Sequence, residues 1–245
     1  MGSYDEYLER AGWDPSEPLH AWVARRLLGE FITVAELMPA QTRLLEIGTG
    51  TGRAAIQARR LGFGDYLGVE PTLALAKAAR TRHGLRIVTD ALPTLESLGD
   101  GDFDAVFSLH VLEHAPDYQA ARQWCQEMVR VTRPGGSILV AAPDVRDYGS
   151  YFWDSDWSHG WPTTPRRVGQ VMRDLGLDVV SETSLHLGGR GPALALAAHL
   201  ASAVIPTRLV DMATTKAVGR PLASGIKIAA LWGLTFVVAR RPLTG

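Results

Sequence analysis

Apolar and polar positions alternate between two periods along this 245-residue chain, and the switches between them predict its elements. From Pro18 to Met38, Leu19, Trp22, Val23, Leu27, Phe31, Ile32, Val34 and Leu37 recur at roughly helical spacing, which predicts one or two amphipathic helices ended by Pro39. Short apolar runs follow at regular intervals with helical stretches between them. Leu44-Leu45 closes a first strand, Tyr66 to Glu70 is a second, Leu85 to Ala91 a third and Asp102 to Leu109 a fourth. After a helix to about Val131, capped at its start by Asp117, Arg133-Pro134-Gly135-Gly136 predicts a turn into a fifth strand, Ser137 to Ala142. Thr163-Thr164-Pro165 opens a helix that ends near Leu175-Gly176. Asp178 to Leu185 and Leu234 to Arg240 are the sixth and seventh strands. Strands alternating with helices predict an α/β fold with a largely parallel sheet.

The first strand runs directly into Glu46-Ile47-Gly48-Thr49-Gly50-Thr51-Gly52-Arg53. Strand, glycine turn and helix place a crevice at the carboxyl end of the strand, where open α/β sheets bind ligands. Glycine tolerates positive φ there and has no Cβ to keep a ligand off the backbone. The dinucleotide fingerprint G-x-G-x-x-G would need its third glycine where Arg53 stands, which counts against a nicotinamide dehydrogenase. Two strand-end acids follow the turn, Glu70 and Asp90. An ionised carboxylate only accepts hydrogen bonds, so Glu70 suits a pair of ribose hydroxyls. Its alternative is a cap on the helix that begins near Pro71-Thr72.

The order acidic-x-G-x-G-x-G, strand-end acid, second strand-end acid, Phe-Asp-Ala-Val at 103–106 and Pro-Gly-Gly at 134–136 resembles the class I S-adenosylmethionine-dependent methyltransferases over about 90 residues. The resemblance implies a seven-stranded, mostly parallel sheet of order 3-2-1-4-5-7-6, strand seven antiparallel, with helices on both faces. It implies S-adenosylmethionine at Glu46, Gly48, Thr49, Gly50, Gly52, Glu70, Pro71, Asp90, Ala91, Leu92 and Leu109, with Asp90 and Ala91 toward the adenine and Leu92 packed on its ring. The whole of 1–245 then reads as one methyltransferase domain. Residues 1–40 form a helical cap on it, and residues 190–228 an insert between strands six and seven. That insert is assigned as a lid or packing element, with a homodimer surface or peripheral membrane contact as alternatives.

Methyl transfer to a hydroxyl requires loss of the hydroxyl proton, hence a base or a metal near the acceptor. Two stretches offer these groups. His110, Glu113 and His114 follow strand four at i, i+3 and i+4, a shared face if that turn is helical. They resemble the divalent-ion site of quinone-biosynthesis O-methyltransferases, an acid followed by Glu-His. His110 replaces the acid, which leaves Mg or Zn open as the ion, since imidazole suits Zn and Mg prefers oxygen ligands. The string His-x-x-Glu-His also fits a metalloprotease motif, but its place after a sheet strand does not. The second stretch, after strand five, is rich in aromatics and acids: Asp144, Tyr148, Tyr151, Phe152, Trp153, Asp154, Asp156, Trp157, His159 and Trp161. With Pro162-Thr163-Thr164-Pro165 it resembles a stretch of glycan- and natural-product-modifying bacterial methyltransferases. Acids accept sugar hydroxyls and rings stack on sugar faces. The candidate catalytic residues are therefore His114, His159 and Asp144, and the expected acceptor is a small-molecule or sugar hydroxyl. A carbon methyltransferase on a lipid or polyketide, and a non-catalytic S-adenosylmethionine-binding partner subunit, are the alternatives.

Composition trims this list. A formal net charge of −1 gives no electrostatic case for nucleic acid. The single cysteine, Cys125, excludes an internal disulfide, and with no signal-like leader and no run of about 18 apolar residues the expectation is a cytoplasmic protein without a membrane span.

Overall fold

The computed structural model describes residues 18–186 and 233–243, with Met212 and Lys216 between them. Seven strands form one sheet of order β3-β2-β1-β4-β5-β7-β6. They are β1 Arg43–Ile47, β2 Asp65–Val69, β3 Ile87–Val88, β4 Phe103–Leu109, β5 Thr132–Pro143, β6 Asp178–His186 and β7 Gly233–Arg240. Pairs β1–β2, β1–β4, β2–β3 and β4–β5 are parallel, and β7 runs antiparallel between β5 and β6. The expected fold class and strand order are both present. Of the residues 1–40 expected as a helical cap, 18–35 form one helix, α1 Pro18–Ala35, and 1–17 lie outside the described residues. The 190–228 insert lies outside the described residues apart from Met212 and Lys216.

The central strands are apolar on both sides because both sides are covered. Leu44, Ala105, Phe107, Leu139 and Phe236 face α1 and α2 (Arg53–Arg60), meeting Leu27, Leu28, Phe31 and Ala55. Leu45, Ile47, Val106, Ile138 and Val140 face α4 (Tyr118–Val131) and α7 (Pro165–Asp174), meeting Cys125, Met128, Val168 and Met172. Helix α3 (Leu73–His83) follows β2. The predicted cap at Asp117 forms, and Thr164 caps α7 as well. Asp117 accepts from the Ala120 amide and Thr164 from the Arg167 amide.

Three boundaries differ from the sequence expectation. The third strand is two residues long rather than seven. Its ladder with β2 ends where the Glu70 amide donates to the Val88 carbonyl, and Pro71 just beyond has no amide to extend it. The fifth strand begins at Thr132, with the Pro-Gly-Gly segment inside it as an irregularity opposite Phe103–Ala105 rather than before it. The aromatic stretch after β5 is not a plain loop: it holds two four-residue helices, α5 Val145–Tyr148 and α6 Tyr151–Asp154. Its two ends are tied together, with the Val145 amide donating to the Thr163 carbonyl and the Thr163 hydroxyl to the Pro143 carbonyl.

Candidate active site

The glycine turn sits at the carboxyl end of β1. Gly48, Gly50 and Gly52 all have positive φ, at 80°, 55° and 94°. Amides of Gly48 and Thr49 donate to the Val69 carbonyl, fastening the turn to the end of β2. Glu70, buried, continues this fastening with both carboxylate oxygens. One accepts from the Gly50 amide at 2.7 Å and the other from the Thr72 amide at 2.9 Å. The helix-start role weighed for Glu70 is therefore real. It leaves the second lone pair of each oxygen for a ligand.

Glu46 does not face the turn's open side. It is 2 % exposed and accepts a very short hydrogen bond from the Tyr66 hydroxyl, which also lies 3.5 Å from the Thr49 hydroxyl. Gly68 makes the room, since a Cβ there would lie 2.3 Å from the Thr49 hydroxyl oxygen. Burial pushes the Glu46 carboxyl up to about 8; the Tyr66 hydrogen bond opposes that rise and the nearby Glu70 charge adds to it. Glu46 is thus a neutral acid at pH 7, and Tyr66 is likewise raised by burial. Asp90, half-buried, accepts from both the amide and the hydroxyl of Ser97 with one oxygen, at 2.8 and 2.5 Å. Ala91 is exposed, Pro71 exposed, and Leu92 and Leu109 are partly buried against the two cores.

The acceptor end is assembled from two distant segments. After β4 the chain turns sharply: His110 adopts φ 56° and only Leu112–His114 form a single 3₁₀ turn. The three residues His110, Glu113 and His114 therefore do not share a helical face. Val111 packs against Gly48, its Cγ2 lying 2.3 Å from where a Cβ would stand, so this segment abuts the glycine turn. The post-β5 segment docks on it through backbone. The Gly160 and Trp161 amides both donate to the Glu113 carbonyl, at 2.9 and 3.1 Å. Gly160 permits the approach, because a Cβ there would meet the Ala115 carbonyl at 2.6 Å.

This docking brings His159 to His114, ring centroids 5.0 Å apart, with Glu113 beside them. One donor atom from each of Glu113, His114 and His159 lies within 4.8 Å of the others. His110 stands outside this group. Its Nδ1 is 3.3 Å from one Glu113 oxygen, an ion-pair distance without hydrogen-bond alignment. Burial favours a neutral Glu113, but His110 and His114 outweigh it and hold the carboxyl below the ordinary range. His114 is held below its usual value by burial, which the Glu113 charge only partly offsets. Asp156 accepts from both the amide and the hydroxyl of Ser158, and the Ser158 hydroxyl meets His114 Nδ1 at 2.8 Å. Burial raises the Asp156 carboxyl, and the Ser158 hydrogen bonds with the two histidines more than reverse that. Asp156 and His159 do not pair side chain to side chain; His159 Nδ1 meets the Phe152 carbonyl.

Asp144, the third catalytic candidate, is elsewhere in purpose. Fully buried, it caps α5 through the Arg146 amide and takes a two-pronged ion pair from the Arg146 guanidinium. Its Oδ1 accepts twice and its Oδ2 once, all from Arg146, and its complete burial keeps it from an acceptor. Sequence reasoning missed Ser158 as a site residue. The signal was present in its place between Asp156 and His159.

Residues 45–140 match a protein-family profile described as a methyltransferase domain. The seven-stranded sheet that contains this stretch has the Rossmann-like strand order that the methyltransferase resemblance implies. A ubiquinone biosynthesis O-methyltransferase of Xanthomonas axonopodis pv. citri (strain 306) is 33 % identical over 138 residues, covering 53 % of this chain and 54 % of that protein. The chain thus spans about half the length of the curated relatives it matches. In fold it is similar to an S-adenosylmethionine-dependent methyltransferase from Archaeoglobus fulgidus (TM-score 0.62, 17 % identity, 98 % of this chain and 100 % of that one). It is also similar to phosphoethanolamine N-methyltransferase 2 of Haemonchus contortus in complex with S-adenosyl-L-methionine (TM-score 0.64, 15 % identity, 99 % and 60 %).

Proposed function

We propose that this protein transfers the methyl group of S-adenosylmethionine to a hydroxyl of a small molecule. The observation that carries the reading is the packing of Val111 on Gly48, which sets the Glu113–His114–His159 cluster beside the glycine turn. S-adenosylmethionine would lie along that turn, its ribose hydroxyls on Glu70 and its adenine toward Asp90 and Ala91. The methyl–sulfur bond breaks as a methyl–oxygen bond forms, the product cofactor is a neutral sulfide, and the hydroxyl proton leaves toward the cluster. Positioning contributes much of the rate, because it replaces a bimolecular encounter. The relatives named as ubiquinone biosynthesis O-methyltransferases support transfer to oxygen.

The acceptor reading favours a sugar. Trp153 and Trp157 are exposed at 50 % and 76 % on the post-β5 segment that also carries Asp156. Exposed rings beside a carboxylate suit the apolar face and hydroxyls of a sugar. A phenol is the second reading, favoured by the names of the relatives. Calorimetric titration with S-adenosylhomocysteine tests the cofactor half: micromolar binding is expected, and a folded protein that binds none would refute it. Methyl transfer from labelled S-adenosylmethionine to a sugar panel and a catechol panel then separates the two acceptors. A lipid or polyketide product methylated on carbon would overturn both.

A further inference from the structure

The geometry points to a divalent transition-metal site formed by Glu113, His114 and His159, with His159 rather than His110 as the second imidazole. The inference rests on the methyltransferase reading for its chemical role only; binding of the ion stands independently of it.

The donor atoms are set by hydrogen-bond accounting. The Ser158 hydroxyl has one proton, and Asp156, which accepts from it at 2.6 Å, takes that proton. The same oxygen therefore accepts from His114 Nδ1, which must carry hydrogen. His159 Nδ1 faces the Phe152 carbonyl, an acceptor only, and must carry hydrogen too. In the tautomer that these partners select, each ring presents Nε2 as the lone-pair nitrogen. A histidine that binds a metal almost always donates its other N–H to a carboxylate, carbonyl or water. Here one imidazole is braced through a serine by a carboxylate and the other directly by a carbonyl.

Glu113 supplies the third donor and the independent sign. It is 0 % exposed, and neither carboxylate oxygen receives a hydrogen bond. A buried carboxylate without hydrogen bonds is costly unless a charge answers it, and a cation is such a charge. His110 answers it only in part, from a misaligned 3.3 Å and from an exposed ring in a left-handed backbone. Two imidazole nitrogens and one carboxylate oxygen suit Zn²⁺ or another first-row transition ion, whereas Mg²⁺ prefers all-oxygen ligands. Bound there, the ion would lower the pKa of an acceptor hydroxyl.

The test is Zn²⁺ calorimetry on metal-stripped full-length protein, with Co²⁺ absorption as the spectroscopic readout and S-adenosylhomocysteine titrated into the same samples. One ion per chain and a visible Co²⁺ band are expected. His159→Ala should weaken Zn²⁺ by at least about 100-fold, and Ser158→Ala, which keeps all three ligands, by about 10–100-fold. His110→Ala should change it by no more than about threefold, since the His110 ring lies outside the three-ligand cluster and only pairs with Glu113 at 3.3 Å. Loss of binding in His110→Ala with His159→Ala unaffected would overturn the ligand assignment. Folded wild type that binds S-adenosylhomocysteine but no Zn²⁺ would overturn the metal site alone, and Zn²⁺ without S-adenosylhomocysteine would overturn the methyltransferase reading alone. If His159→Ala fails to fold, Ser158→Ala decides: unchanged affinity there removes the bracing argument and the site with it.

Discussion

Two buried glutamates stand near the carboxyl ends of neighbouring strands and behave oppositely. Glu46, on β1, is pushed up to about 8 by burial and holds its proton against Tyr66. Glu113, just past β4, is held below the ordinary carboxylate range by His110 and His114 despite being equally buried. The difference lies in the neighbours. Tyr66 offers one neutral donor, too little to repay the lost hydration of a charge, whereas imidazoles that can carry charge favour the ionised form. One acid therefore serves as a neutral brace under the glycine turn. The other is a charge held inside the protein, where it can act on something bound. The same contrast separates the cofactor end, whose polar groups are tied to nearby backbone, from the acceptor end, whose key carboxylate is not hydrogen-bonded at all.

Substitutions can break this comparison at several strengths. The largest effect is expected at His114. His114→Ala should lower methyl transfer by about 10²–10⁴-fold. Titration with S-adenosylhomocysteine should show cofactor binding unaltered, and equal loss of both would erase the division into two ends. Next comes Glu46→Gln. Folding raises the carboxyl from its ordinary value near 4.5 to about 8, so the folded state binds more protons between these values. Wild-type stability is then highest below about pH 4.5 as far as this group is concerned, and falls as pH rises toward 8, by an amount on the order of a few kcal/mol. The variant should flatten that slope in thermal melts from pH 5 to 9. An unchanged slope would mean that Glu46 is ionised after all.

Glu70→Ala should weaken S-adenosylhomocysteine about tenfold or more, a loss on the order of 1.5–3 kcal/mol for hydrogen bonds to a charged group. Unchanged affinity in calorimetry would confine Glu70 to fastening the turn. Gly160→Ala sharpens the contrast from the other side. Its new methyl would press on the Ala115 carbonyl, costing about 1–3 kcal/mol and separating the two acceptor segments. Activity should fall while cofactor affinity holds. The smallest effect is set by Asp117→Ala, which removes the cap of α4 and should cost about 1 kcal/mol in denaturant titrations, with S-adenosylhomocysteine binding unaffected.

How legible each end was follows from how far apart its parts lie in the chain. The turn at 48–52, Glu70 and Asp90 could be read from the sequence because each sits at a strand end, where period and spacing mark it. The cap at Asp117 was legible from its place before a helical period, while the strand order and the antiparallel β7 followed from the family resemblance rather than from spacing. Other readings needed the tertiary structure. Asp144 resembled a free acid in sequence, yet Arg146 two residues on claims both its oxygens. His110 had the right spacing for a shared face, yet its left-handed backbone breaks the turn that would have made one. Glu46 had the right motif position, yet Tyr66, twenty residues away, folds over it.

The sequence alone determined the alternation of strands and helices and the place of the glycine turn, because local period, glycine and strand-end acids act over a few residues; the strand order came only through the methyltransferase resemblance. Only the tertiary structure decided that His159 meets His114 and Glu113, across 45 positions. That encounter depends on Gly160 letting two backbone segments touch and on two amides converging on the Glu113 carbonyl, contacts that no periodicity in the chain announces. It also decided the charge of each buried acid, since ionisation follows from what surrounds a group after folding and not from the residue type.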